Sequence, residues 1–384
     1  MAGGGGEGSG WIKMLVGGGA VVAVGTFLVP HELAWGRGAA LGLGGLAVVF
    51  GSCEAMIKSV NGIGARVGWN PFVAGTMAGL ASNIPELVML GFVLAAEPRV
   101  GFIVTCLTLH IGALVFGLYS GFLPRDKTGH ARLPEPLVKV NTDLFAAAAG
   151  VFLGTGLIML LMRVFRAGTH QGEGLGVADL SVLGVLLLFV QVVATIELVR
   201  RFSGGPEEKS AEPKAPAPSI GAIAGFGAIG LAASVVGGHA VGDFADILVS
   251  GLAKRGVPEM VGALLLSLFA SSGALAMIIT SHTKKLYDVA LASAAGQVSQ
   301  VPFVVLPVAM LLLAVMAKLG VIATGASGAV LPIDLETTSV MLLAFPPMLL
   351  LFKAVQDDGL VSWVETAAMI CVFAVVLYLL ALHG

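Results

Sequence analysis

The chain has 384 residues, of which 57% are hydrophobic and only 11% are charged, and its mean hydropathy is +0.96. A water-soluble domain carries roughly 25% charged residues, so this chain lacks the polar side chains to cover a water-facing surface of its size. The net charge of −2 offers nothing to attract nucleic acid. Composition therefore predicts an integral membrane protein, with lipid as its surroundings and no nucleic-acid partner.

Apolar stretches of spanning length recur along the whole sequence. A flexible glycine-rich tail covers 1–12, and an extra N-terminal helix with its loop covers 13–37. No small-residue cleavage pattern closes that first apolar run, so we interpret it as a retained helix rather than a signal peptide. The predicted all-α fold has about eleven transmembrane helices, at 13–29, 38–62, 70–95, 100–122, 140–162, 179–201, 219–253, 257–281, 287–316, 336–354 and 361–383.

The segment 203–218 is rich in proline, alanine and charge, and it is predicted to be a cytoplasmic linker. It separates a first five-helix repeat, 38–202, from a second, 219–384. Residues 62–68 align with 250–256, and in both halves an apolar helix interrupted by polar residues follows. Equivalent positions are five helices apart, an odd number, so the second repeat is predicted to be inverted in the membrane. Inverted repeats with a central binding site are typical of transporters.

The orientation is predicted from the basic residues of the loops. With the N-terminus in the cytoplasm, 14 of the 21 Lys and Arg residues fall on the cytoplasmic side. This bias places the C-terminus on the opposite side of the membrane.

Glu86 is the main candidate for a functional residue. It lies about 16 residues into an apolar stretch, where a carboxylate is costly unless it is paired, protonated or solvated. Pro85 has no N–H to donate, so it is expected to free a backbone carbonyl one turn earlier. With Ser82 and Asn83, these groups offer several oxygens to a hard cation. The sequence predicts an ion site here, with Glu86 and Asn83 as the metal ligands.

The second repeat offers neutral polar groups at comparable positions, although membrane hydroxyls more often bond to their own helix. Other polar residues have two open interpretations: an ion or proton pathway, or anchoring at the interface and hydrogen bonding within the core. The three cysteines are interpreted as small core residues. The predicted second-repeat ligands are Ser271, Ser272, Gln297 and Gln300, and the possible pathway residues are Glu54, His110, Asp243 and Ser299.

At these residues the sequence resembles the cation/Ca²⁺ exchanger superfamily, most of all its Ca²⁺/H⁺ antiporter branch. Residues 82–87 look like that branch's G-N-A-x-E motif, with a proline before the glutamate as in Na⁺/Ca²⁺ exchangers. Residues 288–301 are similar to its second-repeat motif. The position of the second acidic ligand is occupied by Ala274, so one carboxylate stands where the family has two.

The resemblance implies a secondary active antiporter rather than an enzyme, exchanging Ca²⁺ or a related cation for H⁺ or Na⁺ by alternating access at Glu86. Because a single carboxylate balances a single positive charge, a monovalent Na⁺ or K⁺/H⁺ antiporter is the alternative. A transport-inactive membrane homologue is another. No cofactor is expected beyond the transported cation, and the expected partners are membrane lipid, the cations and H⁺. The sequence gives no oligomeric state.

Overall fold

The computed structural model describes residues 10–69, 71–165, 174–202, 218–283, 285, 287–325, 328–356 and 359–383. The predicted tail and linker lie almost entirely outside these residues. Within them the chain forms thirteen α-helices, one π-helical turn and four short strands. The helices are α1 (Gly10–Phe27), α2 (Ala34–Val67), α3 (Pro71–Ala96), α4 (Pro98–Ser120), α5 (Glu135–Phe165), α6 (Val177–Phe202), α7 (Ile220–Ala253), α8 (Glu259–Thr283), α9 (Tyr287–Gln300), α10 (Leu306–Lys318), α11 (Leu335–Leu342), α12 (Phe345–Gln356) and α13 (Trp363–His383).

Eleven stretches of the described chain are long and apolar enough to cross a membrane, which confirms the predicted all-α, multi-span fold. Two of these spans are composite. Helices α9 and α10 join through the π turn Val301–Val305, where Pro302 has no N–H for the helical ladder. Helices α11 and α12 meet just before Pro346 and Pro347 in the first turn of α12. The prolines thus bend single spans without adding new ones.

The expectation that α3 and α8 are broken at their polar residues is wrong. Both helices run without interruption, and Pro85 lies inside α3. Serine hydroxyls bond to the backbone at both places: Ser82 Oγ donates to the Gly79 carbonyl at 2.7 Å, and Ser272 Oγ to the Phe269 carbonyl at 2.5 Å. Proline is tolerated inside membrane helices, and α3 continues through Pro85.

The chain divides into two compact units. Unit 1 comprises Met1–Phe92 and Val192–Ile247, and unit 2 comprises Val93–Gln191 and Leu248–Gly384. Each unit draws on both halves of the sequence, so the boundaries of the two repeats remain a prediction. So do the sides of the membrane on which the termini lie.

Unit 1 is organised around α2 and α7, which are both 34 residues long, or about 51 Å at 1.5 Å per residue. The two helices are antiparallel, because residues later in α2 contact residues earlier in α7. A Cβ on Gly45 would lie 3.0 Å from the Gly237 carbonyl oxygen, so the two backbones approach as small residues allow. The contacts run from Gly38 against Ile247, through Gly45 against Gly237 and Ser52 Oγ to the Gly230 carbonyl at 2.6 Å, to Ser59 Oγ with the Ile223 carbonyl at 2.9 Å.

Unit 2 is built around α4, whose side chains are nearly all buried. Ser267 of α8 donates to the Val104 carbonyl at 3.2 Å, and Ser120 bonds to Thr366 of α13 at 3.0 Å. Interhelical hydroxyl bonds of this kind hold membrane helices together where lipid offers no hydrophobic drive.

Two small antiparallel sheets tie loops of unit 2 to one another. Strand β1 (Ala131–Arg132) pairs with β4 (Leu360–Val361), and β2 (Gly174–Gly176) pairs with β3 (Ala329–Pro332). The sequence analysis predicted none of these strands. They are two to four residues long, too short for a period-two pattern to be recognised.

Candidate functional site

Glu86 lies near the middle of α3, in unit 1. Its side chain is half-buried, and with the residues that the structure describes its carboxylate makes neither a hydrogen bond nor an ion pair. A carboxylate inside a membrane span is expensive unless something neutralises or solvates it. Glu86 therefore has the properties of a group that binds a cation or a proton.

The polar groups around Glu86 come from its own helix and from α2. Asn83 is buried, with 9% of its surface exposed. Ser82 uses its hydroxyl proton on its own helix, which leaves oxygen lone pairs for other partners. The thiol of Cys53 on α2 donates to the Ser82 backbone carbonyl at 3.5 Å, one turn before Glu86.

The cysteines do not share one environment, which corrects the expectation that all three are core residues. Cys106 is buried, Cys53 is half-buried and Cys371 is exposed. The sequence analysis missed the contact of Cys53 with Ser82, because nothing in the local pattern marks a contact across 29 residues.

Two of the predicted pathway residues also lie in unit 1. Glu54 is about half exposed, and its carboxylate is 3.8 Å from Lys58 Nζ one turn later. This is the anchoring arrangement that was the alternative to an ion path. Asp243 is half-buried on α7. The pathway role of both residues remains a prediction.

The predicted second-repeat ligands lie in unit 2, where two of them are buried without a hydrogen-bond partner among the described residues. These are the Ser271 hydroxyl and both polar atoms of the Gln297 amide, in side chains with 1% and 8% of their surface exposed. Gln297 lies against Gly112 of α4, where an added Cβ would be 3.4 Å from its Cγ. A buried polar group left unpaired costs about 1–3 kcal/mol, so both side chains have unused capacity to bind a ligand.

The remaining predicted residues of unit 2 are partly or wholly satisfied. Ser272 donates to its own helix, and Ser299 makes a long bond of 3.4 Å to the Gly296 carbonyl. Gln300 is buried and has a partner. Nδ1 of His110 donates to the Cys106 carbonyl at 2.9 Å, as a core histidine does. A proton-relay role for His110 remains a prediction.

Unit 2 also contains an ion-pair cluster that the sequence analysis missed. The Arg99 guanidinium reaches Glu259 and Asp334 at 2.5 Å each and Glu336 at 2.8 Å. All four side chains are 27–33% exposed. They belong to the first turns of α4, α8 and α11 or to the residue before α11. One guanidinium group therefore links the N-termini of three helices.

The predicted site residues thus fall into two groups. Unit 1 holds Ser82, Asn83, Glu86, Glu54 and Asp243, and unit 2 holds Ser271, Ser272, Gln297, Ser299, Gln300 and His110. Across the described part of the chain, no three His, Cys, Asp or Glu side chains form a group that could hold a metal ion. Among the described residues, the unpaired carboxylate of Glu86 lies in unit 1, and the unpaired neutral groups of Ser271 and Gln297 lie in unit 2.

Comparison with known proteins supports the predicted resemblance. The family model described as sodium/calcium exchanger protein matches residues 222–382. No curated protein matches by sequence. Among solved structures, the H⁺/Ca²⁺ exchanger CAX is 12% identical, with a TM-score of 0.62 over 97% of this chain and 92% of its own.

Two further solved structures have the same fold. Native YfkE is 14% identical, with a TM-score of 0.62 over 97% of this chain and 99% of its own. The sodium-calcium exchanger NCX_Mj is 17% identical, with a TM-score of 0.52 over 88% of this chain and 98% of its own. The fold is therefore that of the cation/Ca²⁺ exchangers, as the sequence motifs predicted.

Proposed function

From this fold, we propose that the protein is a secondary active cation antiporter whose transport site is centred on Glu86. The transported ion is Ca²⁺ or a related cation, and the counter-ion is H⁺ or Na⁺. The observation that carries the proposal is the Glu86 carboxylate itself, which lies inside an apolar span and is unpaired among the described residues. The matched family and the matched structures are described as exchangers of sodium, calcium or protons.

The chemistry of the site follows from one group that exists in two states. Deprotonated Glu86 attracts a cation, and Asn83 with the Ser82 oxygens completes part of an oxygen shell of the kind hard cations prefer. Protonation removes the negative charge and releases the cation. Exchange results if each state is accessible from only one side of the membrane at a time.

Unit 2 has polar groups of its own, and the ligand role predicted for them from the sequence remains a proposal. The Ser271 hydroxyl and the Gln297 amide are buried and make no hydrogen bond to a described residue. They are two of the second-repeat ligands predicted from the sequence, and their oxygens could replace part of a cation's hydration shell.

A monovalent-cation/H⁺ antiporter is a second candidate, favoured by a specific observation. The residue at the position of the second acidic ligand is Ala274, so Glu86 alone balances one positive charge. A transport-inactive homologue is a third candidate on the same ground.

Flux in proteoliposomes tests the proposal. Vesicles containing a pH-sensitive dye and the purified protein receive Ca²⁺, Na⁺ or K⁺ on one side, and proton movement is recorded. We expect a cation-driven proton flux, or Na⁺-driven Ca²⁺ movement, that Glu86→Gln reduces to the level of protein-free vesicles. The matched control is Glu135→Gln, which removes an exposed carboxylate paired with Lys139 and is expected to leave the flux intact.

Each result decides between the candidates. Flux that survives Glu86→Gln would show that the site is wrongly placed. Flux with Na⁺ or K⁺ but not with a divalent cation would establish the monovalent candidate. Absence of flux in the wild type with every cation would favour the inactive homologue.

A further inference from the structure

The thiol of Cys53 on α2 lies beside the turn of α3 that leads to Glu86. It donates to the Ser82 carbonyl at 3.5 Å. In an α-helix this carbonyl points along the axis towards the N–H four residues later, which here belongs to Glu86. Ser82 and Glu86 are four residues apart, so they share one face of α3. Two groups that can each carry one negative charge therefore lie against the same turn of α3.

We propose that Cys53 and Glu86 together form the charged part of the cation site, and that this site takes thiophilic divalent cations such as Zn²⁺ or Cd²⁺. The inference rests on the proposed function, because it assumes that Glu86 is the transport carboxylate. Thiolate ligands select metals of this class, whereas Ca²⁺ takes oxygen ligands. Cys53 then supplies from α2 the second negative charge that Ala274 does not supply from α8.

The charges and protons balance in this arrangement. A site with Glu86 and Cys53 both protonated is neutral. Binding of one divalent cation displaces the carboxyl proton and the thiol proton, forms one metal–oxygen and one metal–sulfur bond, and leaves the site neutral again. Two protons leave for each cation that enters, so the exchange moves no net charge into the low-dielectric interior. A net charge there would be costly.

Cys53 is a better candidate for the second charged ligand than the carboxylate beside it in the sequence. Glu54 follows Cys53 directly, but it is about half exposed and paired with Lys58. The Ser82 carbonyl already contacts the thiol and offers a third donor atom. Two side chains and a carbonyl suit an ion that must leave again, because a transported ion has to be held loosely enough to depart.

Cadmium binding to the purified protein in detergent tests the proposal. The ultraviolet sulfur-to-cadmium charge-transfer band reports the metal–thiolate bond directly, and proton release is measured in weakly buffered solution. The variant is Cys53→Ser, in which the hydroxyl still donates to the Ser82 carbonyl and so retains the structural contact. The matched control is Cys371→Ser, which removes an exposed thiol on α13.

We expect the band in the wild type and in Cys371→Ser, and its loss in Cys53→Ser. Cadmium affinity should fall at least about tenfold, the lower end of what loss of even an outer-shell partner costs a metal site. Proton release should fall by one per bound ion. A band and affinity unchanged in Cys53→Ser would overturn the inference.

Transport by the same proteins separates the two proposals. If Glu86→Gln abolishes flux while Cys53→Ser moves Cd²⁺ as the wild type does, the transport site stands and the thiol ligand is wrong. If the wild type moves no cation at all but Cys53→Ser loses the cadmium band, the proposed function is wrong and the metal-binding pair stands.

Discussion

Replacing Arg99 by methionine is expected to destabilise the protein markedly. Methionine has a similar length and no branch, so it fills much of the same space while removing the positive charge. The change leaves Glu259, Asp334 and Glu336 facing one another without their shared cation. It also separates the starts of α4, α8 and α11, which the guanidinium joins.

The magnitude follows from the geometry of the cluster. The guanidinium makes a charge-assisted hydrogen bond to each of the three carboxylates. Fully exposed pairs contribute up to about 1 kcal/mol each, and breaking a fully buried pair costs about 3–5 kcal/mol. With side chains roughly 30% exposed, the cluster lies between these limits. We therefore expect Arg99→Met to lower the free energy of unfolding by about 2–4 kcal/mol.

Denaturant unfolding of the purified protein in detergent measures this change. The matched control is Lys139→Met, which breaks an exposed pair with Glu135 and should leave the free energy of unfolding nearly unchanged. The double variant with Glu259→Gln adds a sharper test. In the Arg99→Met background, Glu259→Gln removes one of three unneutralised carboxylates and should be neutral or stabilising. In the wild-type background, the same change should destabilise the protein.

The reasoning would be refuted if Arg99→Met cost no more than Lys139→Met. It would also fail if Glu259→Gln had the same effect in both backgrounds, because the charges would then not be coupled.

Two other predictions concern packing and the α4–α5 loop. Gly238→Ala should lower the free energy of unfolding by about 1–3 kcal/mol, because the new Cβ would lie 2.9 Å from the Met89 Cα. The control Gly225→Ala on the same helix adds a Cβ that meets nothing within 4 Å, so it should be neutral or stabilising. Equal effects of the two changes on unfolding would contradict this prediction. In the loop, hydrogen bonds from the Thr128 hydroxyl and the backbone hold the pKa of Asp126 below its usual range, so the interaction is present at neutral pH and is lost as pH falls through that lowered pKa. Thr128→Val should raise the pKa of Asp126 towards its ordinary value in an NMR titration, and an unchanged titration would show that the hydroxyl is not the cause.

Much of the fold could be predicted because the determining signal is local. Eleven spans follow from the length and hydropathy of successive stretches, and each span satisfies its own backbone whatever it packs against. Glu86 could be singled out for the same reason, since a carboxylate inside an apolar stretch is recognised from the local sequence alone. Gly45 and Gly237 show how small residues let two such spans pack closely.

Other features were decided only when distant parts of the chain came together. The position of Pro85 in the sequence does not reveal whether α3 breaks there, and in the structure the helix continues. Arg99 finds Glu259 and Asp334 at separations of 160 and 235 residues, and Cys53 finds Ser82 on another helix. Periodicity describes one element at a time, so it carries no information about which side chains meet across helices. The sequence by itself determined the number of spans and the place of the carboxylate, and the tertiary structure alone decided which partners surround it.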